Sequence, residues 1–381
     1  MFGGLNVIAV AGALVLSGAL TAEVSARDLH VALDAMARGA DGSAERPWPG
    51  VSEALAAGAG PGDRLLLAPG DHGAVEIGGA GGVPPLVVEP ADPALPPPRL
   101  SSLRVRGPGG VHVKGLLVEG GDGALELPLV RIDAAAAGVR LEGLTIRSTG
   151  NYADWSEEDW RTRARAGIQA RGPGVEIAGN RLSAVKHGIS VAGPGARVTG
   201  NDIDGFSGDA IRGLGDSALY ENNRIANCFK VDATHVDGFQ SWSRGPDGKP
   251  GTGTVRDVVL RGNTILNYTG RRGPFTCHLQ GISLFDGMFE NWLIEDNLVE
   301  TDMWHGITVA GGVDVRVSGN TVRNIGTFPP GPPGIRVGAH KDGRPGGGNL
   351  IENNLSVGDV HFDPRVTVAR DNRRLASAVP R

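Results

Sequence analysis

The sequence is poor in cysteine, in aromatic residues and in helical periodicity. It has 2 cysteines and 5% aromatic residues among 381 positions. Apolar residues recur with helical spacing almost nowhere beyond the N-terminus, so helices do not form the framework. The formal net charge of −5 argues against a surface that binds nucleic acid.

Glycine and proline are abundant instead, at 61 and 25 residues. This composition suits many short strands that are joined by tight turns. The chain is long enough for two or three domains, but a solenoid grows by adding coils. We therefore expect a single domain.

One short phrase recurs along the chain and predicts the architecture. Segments 175–191, 196–213 and 217–242 each contain an apolar alternation, an asparagine followed by x-Ile or x-Leu, a turn, and a small residue before an apolar one. The asparagines are Asn180, Asn201, Asn223, Asn263, Asn297, Asn320 and Asn354. Steps of 21 to 23 residues fit one coil of a β-solenoid, and longer steps indicate a coil with an extra loop.

We therefore predict an all-β fold, a right-handed, single-stranded parallel β-helix in which the asparagines form a structural ladder. Residues 1–26 read as a secretory signal peptide, with an apolar stretch and a Val24-Ser25-Ala26 cleavage site. The β-helix is expected over 27–363. Its N-terminal cap covers 28–77 and contains a short helix near 49–57. Residues 364–381 have no apolar periodicity and are expected to form a tail.

Loop insertions are expected near 148–166, 243–254, 268–279, 326–333 and 340–348. The first contains Trp155 and Trp160, which either pack on the solenoid or stack on a sugar. Cys228 and Cys277 lie in neighbouring decorated coils. An oxidising compartment would allow them to pair, and the sequence leaves this open.

Polar residues gather at one point of successive coils. Equivalent residues stack at about 4.8 Å, so these side chains are expected to be neighbours. A column of Asn or Ser can be purely structural, but a mixture of ionisable groups is costly if left unpaired. The mixture therefore predicts a functional groove. Its members are Lys186, His187, Asp209, Arg212, His235, Asp237, Gln240, Trp242, His278, Gln280 and His305.

Two stretches resemble known proteins. The phrase H-V-D-G-F-Q-S-W at 235–242 is similar to a signature of bacterial β-helix repeat proteins. The pattern D-G-S…R-P-W-P…E-A-L-A-A…P-G-D-R-L-L-L-A-P-G over 41–70 resembles the opening of secreted β-helix proteins of the pectate-lyase-like superfamily. Alginate lyases and chondroitinase B-like enzymes belong to that superfamily.

The resemblance implies a secreted or periplasmic polysaccharide lyase that cleaves a uronate-containing polymer by β-elimination. This reaction needs a group that neutralises the carboxylate, a base for the C5 proton and a proton donor. The expected catalytic residues are Arg212, His235, Asp237 and Lys230, with Asp237 orienting the base. The expected substrate-binding residues are Lys186, His187, Gln240, Trp242, Arg271, Arg272, His278, Gln280 and His305.

The phrase S-G-D-A-I-R-G at 207–213 resembles the G-E-x-I-R-I-G phrase of β-helix alginate lyases. That resemblance implies Ca²⁺, bound here by Asp209 and Asp237, although a second acidic residue of the family's site is not evident.

Other functions stay open. An inverting polygalacturonase-like hydrolase would use two carboxylates across the bond. A C5-epimerase would start with the same proton as a lyase, and a non-catalytic carbohydrate-binding solenoid would need only aromatic platforms. We expect a monomer that binds an acidic polysaccharide, binds no nucleic acid and, once the signal is removed, has no stable membrane insertion.

Overall fold

The computed structural model describes residues 26–78, 82–121, 127–150, 152–270, 273, 275–326 and 331–376. Most of the predicted signal peptide, Arg271 and Arg272 lie outside the described residues. Within the described ranges, no helix has both the length and the apolar character needed to cross a membrane.

Each coil is built from three short strands whose side chains alternate between the core and the surface. In Ile168–Ala170, for example, Ile168 and Ala170 are buried while Gln169 is half-buried. Successive coils pair in parallel, and this arranges the strands into three long sheets. The fold is the predicted parallel β-helix.

Sheet A has 14 strands. They are Asp28–Val31, Arg64–Leu67, Leu86–Pro90, Val111–Lys114, Arg140–Glu142, Glu176–Ala178, Arg197–Thr199, Leu219–Glu221, Thr254–Arg261, Met288–Glu295, Gly312–Val313, Arg316–Ser318, Asn349–Glu352 and Thr367–Arg370.

Sheets B and C have 11 strands each. Sheet B consists of Arg99–Leu100, Leu117–Glu119, Thr145–Arg147, Arg181–Val185, Asp202–Phe206, Arg224–Cys228, Thr264–Leu266, Leu298–Thr301, Thr321–Asn324, Leu355–Ser356 and Arg373–Arg374. Sheet C consists of Ala74–Gly78, Ser102–Arg106, Val130–Ile132, Ile168–Ala170, Ile189–Val191, Ile211–Gly213, Asp237–Trp242, Gln280–Asp286, His305–Ala310, Gly334–Gly338 and Val360–Phe362.

The core lies between the three sheets and consists of stacked apolar side chains. In sheet C, Ile189 pairs with Ile211, and the same position continues with Phe239, Ile282 and Ile307. All five are 1% exposed or less. Burying such a side chain contributes about 1.5–3 kcal/mol, so the stack is the main source of stability.

The asparagine ladder runs through the core at the turn between sheets A and B. The Asn201 Nδ2 donates to Asn223 Oδ1 at 2.9 Å, and the backbone N–H of Asn201 donates to the same oxygen at 3.0 Å. Asn223 repeats both contacts with Asn263. The predicted ladder is therefore confirmed, and it continues to Asn372.

The residue before each ladder asparagine has a positive φ. Gly200 has a φ of 64° and Asn222 one of 55°, and Gly262 and Asp296 behave alike. This left-handed conformation favours Gly, Asn and Asp. It explains why the sequence reads Gly-Asn, Asn-Asn or Asp-Asn at these turns.

The described residues form two short α-helices beside the solenoid. Helix α1, Val51–Ala56, buries Val51 and Ala54 at the N-terminal end, as the sequence predicted for the cap. Helix α2, Glu157–Arg163, follows a 3-10 turn at Tyr152–Asp154 and begins with a capping box at Ser156. Trp155 and Trp160 are buried in a small apolar cluster, so the alternative in which they stack on a sugar is wrong.

The β-helix extends further toward the C-terminus than expected. Thr367–Arg370 pairs with Asn349–Glu352, and Arg373–Arg374 pairs with Leu355–Ser356. Residues 367–374 therefore add to the solenoid rather than to a free tail. The repeat is hard to recognise in the sequence here, because arginines occupy exposed positions of this last coil.

Cys228 and Cys277 form a disulfide with a Cα–Cα distance of 5.5 Å. The bond joins two neighbouring coils just before sheet C. It closes a loop across a sequence separation of 49 residues, and it holds together the two loops that lead to His235 and His278.

Asn263→Ala tests the ladder. The substitution removes the hydrogen bonds that the Asn263 side chain makes with Asn223 and Asn297. It leaves the backbone N–H of Asn223 unpaired and takes the Nδ2 donor from the carbonyl oxygen of Tyr220, and a buried group left unpaired costs about 1–3 kcal/mol. We expect a clear fall in the free energy of unfolding, measured by denaturant titration. Asn324→Ala, on a half-buried asparagine outside the ladder, is the control. Equal stability of the two variants would contradict the structural role.

Candidate functional site

The register of sheet C lines up polar side chains at the outward-pointing positions of successive strands, and two of them, Ser283 and Thr308, are buried. Ser190 pairs with Arg212, Arg212 with Gln240, Gln240 with Ser283, Ser283 with Thr308, and Thr308 with Arg336. At the start of two of these strands, Asp237 pairs with Gln280 in the same way. We call the outer surface from Gln169 to Arg336 the polar face.

A buried pair of carboxyl groups lies beneath the centre of the polar face. Asp209 and Asp237 come from adjacent coils and are 2% and 1% exposed. The backbone N–H of Asp237 donates to Asp209 Oδ1 at 3.3 Å. The Arg212 Nε donates to Asp209 Oδ2 at 2.5 Å, so the negative charge of the pair is balanced at Asp209.

Asp237, unlike Asp209, has no hydrogen bond from a cationic side chain among the described residues; its donor is the neutral amide of Gln240. Burial, followed by the charge of Asp209, raises the pKa of Asp237 to about 8. The Gln240 Nε2 donates to Asp237 Oδ2 at 2.8 Å. The pair therefore holds one proton at neutral pH, and its two members orient Arg212 and Gln240.

His187 lies next to Asp209, in the coil that precedes the coil of Arg212. The backbone N–H of Asp209 donates to His187 Nδ1 at 3.0 Å, and this places the ring proton on Nε2. Burial, then the charges of Arg212 and Lys186, lowers the pKa of His187 to about 3. The ring is therefore neutral across the physiological range.

Two more histidines lie on the C-terminal side of Arg212. The His235 Nδ1 is 3.2 Å from Gln280 Nε2, and the His305 Nδ1 is 2.9 Å from Thr308 Oγ1. Burial, followed by the charges of Arg336 and His235, lowers the pKa of His305 to about 4. The expected contact between Asp237 and His235 is wrong. Asp237 points to Gln240 and Asp209, and the amide of Gln280 holds His235.

The other predicted residues lie around this centre. His278 Nδ1 is 2.9 Å from Oδ2 of the buried Asp302. Lys230 Nζ donates to the carbonyl oxygen of Thr234, and Lys186 Nζ is 4.0 Å from Asp232 Oδ2. Lys186 and Lys230 are exposed at the edge of the face, where a ligand can reach them.

A cleft of about 460 Å³ adjoins Arg212. Its polar lining comes from Gln169, Arg171, Ser190, Arg212, Trp242 and Arg244. The guanidinium carbon of Arg244 lies 5.2 Å from the centre of the Trp242 ring, within the range of a cation–π contact. The predicted Trp242 and Arg212 therefore meet in one cleft whose charged side chains are all cationic.

The surroundings of Asp209 and Asp237 do not fit Ca²⁺. This ion takes six to eight oxygen ligands. Here Arg212 occupies Asp209 Oδ2, Gln240 presents an N–H donor to Asp237, and one proton is shared. In the described part of the chain, no group of three or more His, Cys, Asp or Glu residues is arranged for a metal ion.

The sequence prediction omitted several residues of the site. Arg171 and Arg244 line the cleft, Arg336 ends the polar face, and Asp302 orients His278. Trp304 is 50% exposed with its ring 5.7 Å from that of His305. The position of Arg336 one coil beyond Thr308 was a usable signal. No pattern in the sequence pointed to loop residues such as Arg244.

The family model for the right handed beta helix region matches residues 166–356. The chain therefore belongs to the right-handed β-helix family, and the predicted handedness and architecture are confirmed. The search of curated proteins gave no match.

Solved structures share the fold at low identity. The catalytic unit of the GH87 alpha-1,3-glucanase from Streptomyces thermodiastaticus strain HF3-3 is 15% identical, with a TM-score of 0.53, covering 91% of this chain and 69% of that one. The GH136 lacto-N-biosidase from Eubacterium ramulus is 12% identical, with a TM-score of 0.52 and coverages of 91% and 67%. The Dettilon tailspike protein is 16% identical, with a TM-score of 0.49. The alignment covers 83% of this chain but only 58% of the tailspike.

Asp237→Asn tests the shared proton. In the unfolded chain an aspartate has a pKa of about 3.9, whereas in the folded protein the pKa of Asp237 is about 8. Between these values the folded state binds more protons, so the free energy of unfolding falls as pH rises from 4 to 8. The asparagine amide mimics the protonated acid, because it accepts from Gln240 and donates to Asp209.

We therefore expect the variant to lose that part of the pH dependence and to be more stable than the wild type at pH 8. Denaturant titrations at pH 5, 6.5 and 8 measure it. Asp257→Asn, at an exposed carboxylate, should keep the wild-type slope. An unchanged slope in Asp237→Asn would show that the pair holds no proton.

Proposed function

We propose that the protein is a carbohydrate-active enzyme, a polysaccharide lyase that cleaves a uronate-containing polymer by β-elimination. The observation that carries the proposal is Arg212, oriented by a buried carboxylate at the edge of a cleft with two further arginines and a tryptophan. A guanidinium matches the planar geometry of a carboxylate, and an aromatic ring suits the apolar face of a sugar.

The structural neighbours are consistent with a carbohydrate substrate. Two neighbours with TM-scores above 0.5 are named as a glucanase and a lacto-N-biosidase. Their identity is too low to transfer either reaction, so the reaction is argued from the residues of this chain.

Arg212 and Gln240 are assigned to the uronate carboxylate. The hydrogen bond to Asp209 uses only Nε of Arg212, and the amide of Gln240 keeps a second N–H. Two cationic or polar donors on the carboxylate stabilise the negative charge that develops when the C5 proton leaves. Asp209 and Asp237 are positioning residues, because they lie beneath these donors and are buried.

His235 is assigned as the base, with Lys230 as the alternative. His235 is exposed at the edge of the polar face, next to the coil of Arg212. In the observed contact the Gln280 Nε2 donates to His235 Nδ1, which leaves the ring proton on Nε2. For His235 to act as the base, the Gln280 amide has to turn over and present its oxygen to Nδ1–H, so that Nε2 is free to accept the proton. His235 takes the C5 proton, the C4–O bond breaks as the C4=C5 bond forms, and the imidazolium returns the proton to the departing oxygen.

An inverting hydrolase receives less support. Its two carboxyl groups stand about 6.5–9.5 Å apart to admit a water molecule. Asp209 and Asp237 are instead buried, and the backbone N–H of Asp237 donates to Asp209 Oδ1. Two alternatives remain. An epimerase would form a different product from the lyase, and a binding solenoid would form no product.

The test incubates the mature protein with uronate polymers, with and without Ca²⁺ or a chelator, and follows the ultraviolet absorbance of unsaturated uronate ends. We expect Arg212→Ala to lower kcat by about 100-fold or more, because it removes a charged donor from the developing anion. Arg212→Lys should recover only part of the rate, since it lacks the planar fork. Arg181→Ala, an exposed arginine on sheet B, is the matched control.

His235→Ala and Lys230→Ala distinguish the two bases, because only loss of the base abolishes elimination. New reducing ends without absorbance would replace the lyase by a hydrolase. Inversion at C5 without cleavage would identify an epimerase, and binding without any product would leave a binding solenoid.

A further inference from the structure

Two arginines of the polar face, Arg171 and Arg336, lack among the described residues the carboxylate partners that many other surface arginines have. Elsewhere arginines commonly pair with carboxylates, as Arg104 does with Asp133 and Arg316 with Glu352. In the described part of the chain, the side chains of Arg171 and Arg336 make no hydrogen bond or ion pair. Both are exposed.

These two arginines stand at opposite ends of the polar face. Arg171 follows Gln169 in the coil that lies two steps before Arg212, and Arg336 lies four steps beyond Arg212. At about 4.8 Å per step, Arg336 is about 19 Å from the level of Arg212, and Arg171 is about 10 Å from it on the other side.

The stretch between them offers a ligand little negative charge. Asp209 and Asp237 are buried beneath Arg212 and Gln240, and Asp286 pairs with Lys341 at the side of the face. The exposed guanidinium groups of Arg171 and Arg336 have no carboxylate partner within the described ranges, so they attract a polyanion that lies along the face. A single bound carboxylate would need only Arg212.

We propose that Arg171 and Arg336 bind carboxylates of sugars on either side of the uronate at Arg212, so that the polar face holds an inner stretch of an acidic polymer. This inference rests on the proposed function for the identity of the polymer. A sugar of an extended chain is about as long as one coil is high, so the span of six steps holds about six sugars. Binding in the middle of a chain predicts cleavage at internal bonds.

The experiment measures binding and not cleavage. His235→Ala protein is titrated calorimetrically with oligosaccharides of galacturonate and of alginate, from dimers to octamers, and with neutral xylo-oligosaccharides of equal length. We expect affinity for the acidic series to rise with length up to about six sugars. Adding Arg336→Ala or Arg171→Ala should weaken binding of hexamers at least about tenfold and leave that of dimers unchanged, because only long ligands reach the end arginines.

Arg197→Ala provides the matched control, since this exposed arginine lies on sheet A, away from the polar face. The inference is overturned if the end variants bind hexamers like the parent, if Arg197→Ala weakens binding equally, or if no acidic oligosaccharide binds. Length-dependent binding that needs both end arginines supports it even when the wild type forms no unsaturated product. That result would reject only the lyase.

Discussion

Stacking of the coils is the constraint on which the rest of the structure depends. Each coil buries its apolar residues only against equivalent residues of its neighbours, so matching positions must repeat at the spacing of hydrogen-bonded strands. The asparagine ladder enforces this register, because each side-chain oxygen accepts from both the backbone N–H and the Nδ2 of the asparagine one coil earlier. A left-handed residue before each asparagine, such as Gly200, brings the chain into that turn.

The same constraint creates the chemistry of the polar face. Residues that are far apart in sequence become neighbours, and Asp209 and Asp237 are forced together one coil apart. Burial and the charge of Asp209 raise the pKa of Asp237, so the pair retains a proton at neutral pH, and it accepts hydrogen bonds from Arg212 and Gln240. The raised pKa of Asp237 therefore lowers the free energy of unfolding as the pH rises above 4. The same pair holds the side chains of Arg212 and Gln240 in place.

Repeat spacing was enough to predict the fold, the ladder and most of the column, because register follows from the positions of Asn and of the small-apolar pairs. It was not enough to predict side-chain direction. Asp237 was expected beside His235, yet it turns to Asp209. Ladder residue Asn372 was missed because arginines surround it in the last coil. The disulfide depended on how two loops meet, which no local pattern specifies.

The loop before sheet C shows why the insertions matter to the site. His235 lies in a segment without regular structure, so its position depends on contacts from outside that segment. Trp160 stacks on Phe229 at 4.6 Å, and Arg161 Nε donates to the carbonyl of Val231 at 2.7 Å. The disulfide at Cys228 holds the other side of the same segment. Helix α2 is thus better understood as a brace for the loop that carries the proposed base than as a second binding surface. Trp160 in this helix and Trp155 just before it are buried in a cluster with Val231 and Phe229 of that loop.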